Sequence, residues 1–167
     1  RFDRSQKMQW ARLLGTSEEE LATDVAVGPE GNIYVAGKTE GALGDSANAP
    51  GTGAGFVAKY NPEGDEQWVT QLDMSSYLSR YRVDIDKRGA SYVVGTVTSE
   101  FEIESFETSQ GFLARINPQG EYDTVQFLGE SADNGDDRAE DVVVVDDAVY
   151  VAGSTAGSGA FGSPTTT

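Results

Sequence analysis

Gly31-Asn32-Ile33-Tyr34-Val35-Ala36-Gly37 decides the fold, because it returns as Gly89-Ala90-Ser91-Tyr92-Val93-Val94-Gly95 and again as Asp147-Ala148-Val149-Tyr150-Val151-Ala152-Gly153. The closing glycine steps from 37 to 95 to 153, which is 58 residues each time. A fixed period of this size marks a repeat architecture in which each copy is one supersecondary unit. Just upstream of each copy lies a short β-branched run: Asp24-Val25-Ala26-Val27, Tyr81-Arg82-Val83-Asp84-Ile85 and Asp141-Val142-Val143-Val144-Val145. Runs of this kind bounded by turn residues read as buried strands. Gly28-Pro29-Glu30-Gly31 and Asp86-Lys87-Arg88-Gly89 join the two strands, each with a glycine where positive φ is needed, and Asp146-Asp147 is a tighter version of the same hairpin turn.

Downstream, a loop rich in glycine and alanine runs to Gly55 and leads into Phe56-Val57-Ala58-Lys59-Tyr60-Asn61-Pro62-Glu63-Gly64, a third strand and its turn. Phe112-Leu113-Ala114-Arg115-Ile116-Asn117-Pro118-Gln119-Gly120 is its second copy. The Asn-Pro-x-Gly corner sets proline at a turn's second position and glycine at a positive φ. It delivers the chain to a fourth strand at Trp68-Val69-Thr70-Gln71-Leu72, with counterparts at Trp10-Ala11-Arg12-Leu13-Leu14-Gly15 and Thr124-Val125-Gln126-Phe127-Leu128-Gly129. Leu14, Leu72 and Leu128 hold equivalent places. Glu100-Phe101-Glu102-Ile103-Glu104 alternates polar and apolar residues and is able to form a strand of its own, whereas Arg1 to Lys7 reads as a polar lead-in linker.

Four antiparallel strands per repeat, at this spacing, predict the blades of a β-propeller, with the first strand lining a central channel and the fourth at the rim. The fold class is therefore all-β, with repeats at approximately 8–66, 67–121 and 122–167 in one repeat unit spanning 1–167. An open β-sandwich is the alternative, and a β-helix fits poorly because its coils are shorter. The ring is expected to be incomplete, with two full blades plus parts of two more, since closure takes about four to eight. Either the chain is a piece of a longer array, or copies associate to close the ring.

The composition narrows the chemistry. A formal charge of −16, from 28 acidic and 12 basic side chains, argues against nucleic acid and anionic membrane as partners. With no cysteine and no histidine, disulfide scaffolds, thiol nucleophiles, imidazole bases and the common zinc sets are absent. No apolar run approaches the length of a spanning helix, and Arg1 onward shows no signal-peptide core, so the chain is either cytosolic or preceded by a segment outside it.

The pattern Trp-x-x-x-Leu-Gly, Asp-x-Ala-Val, Gly-Asn-Ile-Tyr-Val-Ala-Gly, then Phe-Val-Ala-Lys-Tyr-Asn-Pro-x-Gly resembles the bacterial β-propeller repeat abbreviated SBBP. The resemblance covers nearly all of residues 8 to 167 and is strongest in the first repeat. The second copy departs from it at Asp73 and at Ala90-Ser91, and the third has Thr124 in place of the tryptophan. The NHL repeat has a similar core but a shorter period and ranks second. What the resemblance implies is a large secreted or surface-attached prokaryotic protein whose blades serve binding or spacing, with no conserved chemistry.

Among candidate sites, the sharpest is the loop Asp133-Asn134-Gly135-Asp136-Asp137, followed by Glu140 and Asp141. Asp133, Asn134, Asp136 and Asp137 offer the hard oxygen donors that Ca²⁺ takes, although the spacing is not that of an EF-hand. The alternative is a solvated acidic loop. Glu18-Glu19-Glu20 with Asp24 occupies the matching crossing in the first repeat, but Ser75-Ser76-Tyr77-Leu78-Ser79-Arg80 does so in the second, and a repeated metal site belongs in every copy. Trp10, Trp68, Tyr34, Tyr92 and Tyr150 are sugar-stacking platforms or, in keeping with their blade-equivalent places, packing between blades. The loops 38–54 and 96–110 differ between repeats, as binding loops and unconstrained loops both do. The expectation is a non-catalytic extracellular or cell-surface module for protein or carbohydrate binding or for assembly, without a cofactor unless calcium binds. Its partners would be other blades of a longer chain or of a homo-oligomer, and a protein or glycan ligand. Two alternatives are part of a carbohydrate-active enzyme, which needs a suitably spaced carboxylate pair, and a calcium-stabilised surface repeat.

Overall fold

The computed structural model of the chain describes residues 1–44, 53–75, 80–100, 107–129 and 136–156. Ten strands are described: β1 (Glu20–Val27), β2 (Ile33–Thr39), β3 (Ala54–Tyr60), β4 (Glu66–Ser75), β5 (Arg82–Ile85), β6 (Ser91–Glu100), β7 (Glu107–Ile116), β8 (Tyr122–Leu128), β9 (Asp137–Val145) and β10 (Ala148–Thr155). They form two four-stranded antiparallel sheets, β1-β2-β3-β4 and β5-β6-β7-β8, and a two-stranded sheet of β9 and β10. The expected all-β, four-stranded antiparallel blades are present, and the sheets do not close into a ring. The run at 101–104 that was expected to add a strand lies outside the described residues.

The turns form for the reasons the sequence gives. Gly31 and Gly89 sit at φ 78° and 87°, and Gly64 and Gly120 at 87° and 89°, where a side chain would be strained. Asp146, in the tighter third turn, reaches φ 54°.

The three sheets stack face to face. Tyr34, Ala36, Val57 and Leu72 of the first sheet bury against Val83, Val93, Phe112, Ala114 and Ile116 of the second. Val94 and Leu128 of the second sheet in turn bury against Ala139 and Val142 of the third. Leu72 and Leu128 thus repeat one role, and Leu14 repeats it again against Phe56, Ala58 and Tyr60. At the inner edge, carboxylates stitch neighbouring sheets. Val83 N donates to Asp24 Oδ2 at 2.9 Å, and Val144 N donates to Asp84 Oδ2 at 2.7 Å. Thr23 Oγ1 adds a bond to the Tyr81 carbonyl at 2.8 Å. The first strands of successive sheets therefore lie side by side, as the channel-lining strands of a propeller do.

The first ten residues correct the reading of Arg1 to Lys7 as a linker. They fold as a further copy of the turn between third and fourth strands. Asp3 N donates to the Lys7 carbonyl at 3.0 Å and Gln6 N to the Asp3 carbonyl at 3.0 Å. Asn61, Gly64 and Asp65 make the same pair of bonds, as do Asn117, Gly120 and Glu121. Asp3 Oδ1 accepts from the Ser5 and Lys7 amides, just as Asn117 Oδ1 accepts from those of Gln119 and Glu121. Gln6 takes the positive-φ place at 63°. The Trp10–Gly15 segment runs on from this turn but joins no ladder, so the short strand expected there is not formed. A single bridge from Phe2 to Met8 is the pairing described beside it.

A non-glycine residue at left-handed φ carries roughly 1 kcal/mol of strain. Gln6→Gly is accordingly expected to raise stability by about 0.5–1 kcal/mol in urea titration. Gly64→Gln, the reverse change in the second copy of the turn, is expected to lower it.

Candidate functional site

The first sheet carries an uncovered apolar face. Positions on a strand alternate between faces, so while Tyr34 and Ala36 turn toward the second sheet, Ile33 and Val35 turn the other way. With Val25, Val27, Phe56 and Tyr60 they line a cavity of about 530 Å³, bounded at the rim by Trp10 and Leu14. The equivalent first-strand residues one repeat later, Val83 and Ile85, are buried and half-buried. Val25 is 62% exposed, yet Val83, 58 residues on, is 5% exposed. The open face of the first sheet is thus the counterpart of the face that the second sheet covers with its neighbour.

The rim of this face carries a repeated clamp. Trp68 Nε1 donates to the Pro118 carbonyl at 3.1 Å, and a Cβ on Gly120 would lie 2.7 Å from the indole. Trp10 Nε1 donates to the Pro62 carbonyl at 3.1 Å over Gly64 in the same manner. Two residues further on, Thr70 Oγ1 donates to the Gly120 carbonyl and Arg12 Nε to that of Gly64. Each glycine therefore serves twice, once for its φ and once as the flat seat of an indole. Third-strand cations add to the clamp: Lys59 Nζ reaches the Pro118 carbonyl at 3.3 Å while lying 5.4 Å from the Tyr34 ring centre.

These contacts place the aromatic residues. Tyr34 is fully buried, edge-on to Trp68, and its hydroxyl donates to the Gly89 carbonyl at 3.2 Å. Burial, then the nearby Asp86 and Glu30 charges, hold its phenol above the usual range. Trp10, Trp68 and Tyr34 thus pack between blades. Tyr92 is half-buried and takes a hydrogen bond from Arg115 Nε at 3.2 Å. Tyr150 is 62% exposed, a departure from the packing role, because no described residue covers the outer face of the β9-β10 sheet.

The acidic candidates are only partly gathered. Asp133 and Asn134 lie outside the described residues. Asp136 Oδ1 accepts from the Ser109 amide at 3.2 Å, and Oδ2 pairs with Arg138 at 3.4 Å. Asp137 is 4% exposed and its Oδ1 has no hydrogen-bond partner among the described residues. It is the structural counterpart of Glu20, since Glu20 faces Thr39 and Asp137 faces Thr155 across their hairpins. No group of three or more His, Cys, Asp or Glu side chains that could hold a metal occurs among the described residues.

Glu20 has a structural task. Its carboxylate accepts from Thr16 N at 2.9 Å, Thr16 Oγ1 at 2.7 Å and Thr39 Oγ1 at 2.9 Å. The Thr16 amide bond is the largest effect and outweighs the opposing one of burial, and with the two hydroxyl bonds it holds the carboxyl below the usual value of 4.5. A depressed folded-state pKa gives stability that is present above the unfolded value and lost as pH falls through the folded one. Glu20→Gln is therefore expected to cost at most about 1 kcal/mol near pH 7, after solvent screening. The difference from the parent should vanish in thermal melts taken well below pH 4.5.

Sequence reasoning missed the clamp and the turn at residues 1–10. A shift of 58 residues lays Arg1-Phe2-Asp3 over Lys59-Tyr60-Asn61 and Gln9-Trp10 over Gln67-Trp68, which was the available signal. Part of the long loop at 38–54 is fixed as well: Leu43 N donates to Gln71 Oε1 at 2.7 Å and Gln71 Nε2 to the Gly41 carbonyl at 3.0 Å.

Among the described residues no helix is long and apolar enough to cross a membrane. No curated protein matches the chain. Residues 9–45 match a family model described as the SBBP beta-propeller repeat. The match begins beside Trp10, runs through β1 and β2, and so straddles the boundary at which the rim segment hands over to the first sheet. Over residues 9–45 the chain is therefore similar to the SBBP beta-propeller repeat.

Proposed function

We propose that this chain is a non-catalytic β-propeller module that acts outside the cell or at its surface by binding and assembly through exposed blade faces. The observation that carries this reading is the uncovered face of the first sheet, where Val25 and Val27 are 62% and 70% exposed although their repeat equivalents form an inter-blade core. Exposed contiguous apolar surface of this kind is characteristic of an interaction site. The partner best matched to it is another blade of the same type, because the face already has that complement one repeat along. A charge of −16 keeps such a module soluble and turns it away from nucleic acid and anionic lipid.

Native mass measurement over a range of protein concentrations tests the reading. The expected result is association that Val25→Asp and Val27→Asp abolish without loss of the β-sheet circular dichroism signal. A chain that stays monomeric at every concentration overturns assembly through this face. Hydrolysis of soluble glycans by the purified chain would overturn the non-catalytic reading in favour of a carbohydrate-active one.

A further inference from the structure

The contact between the second and third sheets departs from that between the first and second, and the departure leaves a cavity. In the first interface Tyr34 fills the corner between successive hairpin turns. A Cβ on Gly28 would come within 2.9 Å of its ring, and its hydroxyl donates to the Gly89 carbonyl. Two changes undo this arrangement one repeat later. Asp86 stands in the place of Gly28, as the matching bonds from Gly28 N to the Asn32 carbonyl and from Asp86 N to the Ala90 carbonyl show. Its side chain takes room that the tyrosine ring uses in the first copy. The receiving turn is also shorter: five residues, Asp86 to Ala90, separate the last pair of the second hairpin, but only Asp146 and Asp147 that of the third. Tyr92 accordingly stays half-buried, its hydroxyl accepting from Arg115 Nε of its own sheet. The corner is here a cavity of about 210 Å³.

The two walls of that cavity differ in charge. Lys87, Arg88 and Arg115 bring three cations from the second sheet, and Asp146 and Asp147 bring two carboxylates from the third. Asp86 is occupied with the Arg88 and Ala90 amides at 2.8 and 2.9 Å. Lys87 Nζ meets Asp147 Oδ1 at 3.2 Å and bridges the walls. Val144 and Val149 add apolar surface beside the Tyr92 ring. An anion would face two carboxylates in a chain of charge −16, and a cation would face three basic side chains. A neutral ligand rich in hydroxyls suits both walls, because a hydroxyl donates to a carboxylate and accepts from a guanidinium or an ammonium. Its C–H groups would rest on the tyrosine and the valines. At about 30 Å³ per water, the space holds about seven waters, the scale of one sugar ring.

We propose that the cavity between the second and third sheets, bounded by Tyr92, Arg88, Arg115, Asp146 and Asp147, binds one neutral pyranose unit of a glycan. Of the two uses the sequence leaves open for the repeated tyrosines, Tyr34 serves packing and Tyr92 serves stacking. The site lies apart from the open face of the first sheet and goes beyond the assembly reading without depending on it.

The full chain is titrated with glucose, galactose and mannose, and with glucuronate and sulfate as anionic probes, while the NMR signals of Arg88, Arg115 and Val149 are followed. It is also screened on immobilised neutral and acidic glycans. Saturable shifts at these residues are expected with at least one neutral sugar, at the millimolar affinity of a single ring. Arg88→Ala and Asp146→Asn alter exposed turn positions, and asparagine tolerates the φ of 54° at 146. Each should weaken binding by at least about fivefold, the worth of one hydrogen bond. Arg138→Ala, at the opposite end of β9, should leave it unchanged. Unmoved signals with every neutral sugar and no capture by neutral glycans overturn the site. Binding of glucuronate or sulfate in their place overturns it in favour of an anion site, and sugar binding that survives both turn substitutions overturns it as well. Repeating the titration on Val25→Asp separates the two readings: sugar binding by a monomeric chain upholds the pocket whatever becomes of assembly, and association without sugar binding overturns the pocket alone.

Discussion

Trp68→Ala is expected to destabilise the chain by about 3 kcal/mol, the lower end of the range for removing a large aromatic side chain, because the indole is only partly buried. Three losses coincide: the donor to the Pro118 carbonyl, the seat on Gly120, and the edge contact with Tyr34, whose ring centre lies 5.9 Å away. The first two tie the first sheet to the second, and the third braces the indole within its own sheet. In a chain of stacked units each copy contacts only its neighbours, so stability is a sum of unit and interface contributions. Weakening one interface is therefore expected to broaden the urea transition as well as shift it. Trp10→Ala makes the matching change on a segment that joins no ladder, and should cost only about 1–2 kcal/mol with no broadening, because no sheet-to-sheet interface is lost with it. Equal costs for the two substitutions would show that the clamp adds nothing to inter-blade packing.

That contrast also shows what could be read from residues alone. The period of 58 and the Tyr-Val-Ala-Gly, Asn-Pro-x-Gly and Trp landmarks were sufficient for blades, strand order and turn positions. They succeed because each landmark has a local cause, such as a positive φ or a strand period, that acts within a few residues. The turn at residues 1–10 escaped because its chemistry is conserved while its letters change. Asp3 accepts the same two amides as Asn117 and shares the second with Asn61, and Gln6 adopts the glycine conformation at a cost in strain. The inter-sheet carboxylates Asp24 and Asp84 escaped for another reason. Each reaches an amide about one full repeat away, and a partner at that distance leaves no local pattern. In the acidic loop the oxygen donors suggested a metal; Asp136 bonds to Ser109 and Arg138, Asp133 and Asn134 lie outside the described residues, and in the matching crossing of the first repeat Glu20 bonds to two threonines. A carboxylate's neighbours in space decide its task, and those come from the hairpin register.

Tyr81 makes the last prediction, since it is a core residue that the repeat does not announce. It is fully buried between the first two sheets, tilted against Phe112 with ring centres 6.1 Å apart. The sheets make room for it with glycines: a Cβ on Gly55 would come within 2.3 Å of its ring, and one on Gly95 within 3.3 Å. Neither approach leaves space for a methyl group unless the ring or the backbone moves. Tyr81→Ala is thus expected to cost about 3–5 kcal/mol through the cavity it leaves, and Gly55→Ala alone about 1–3 kcal/mol through overpacking. The two should not add. With the ring gone, the Gly55 methyl occupies part of the space it vacated, so the double variant should be more stable than the sum of the single costs implies, by more than about 1 kcal/mol. A double-mutant cycle from urea titrations measures this coupling. Additivity within about 0.5 kcal/mol would mean that the sheets relax around either change independently. In that case the glycines at 55 and 95 answer to strand geometry, and the tight joint between the first two blades does not depend on the tyrosine they enclose.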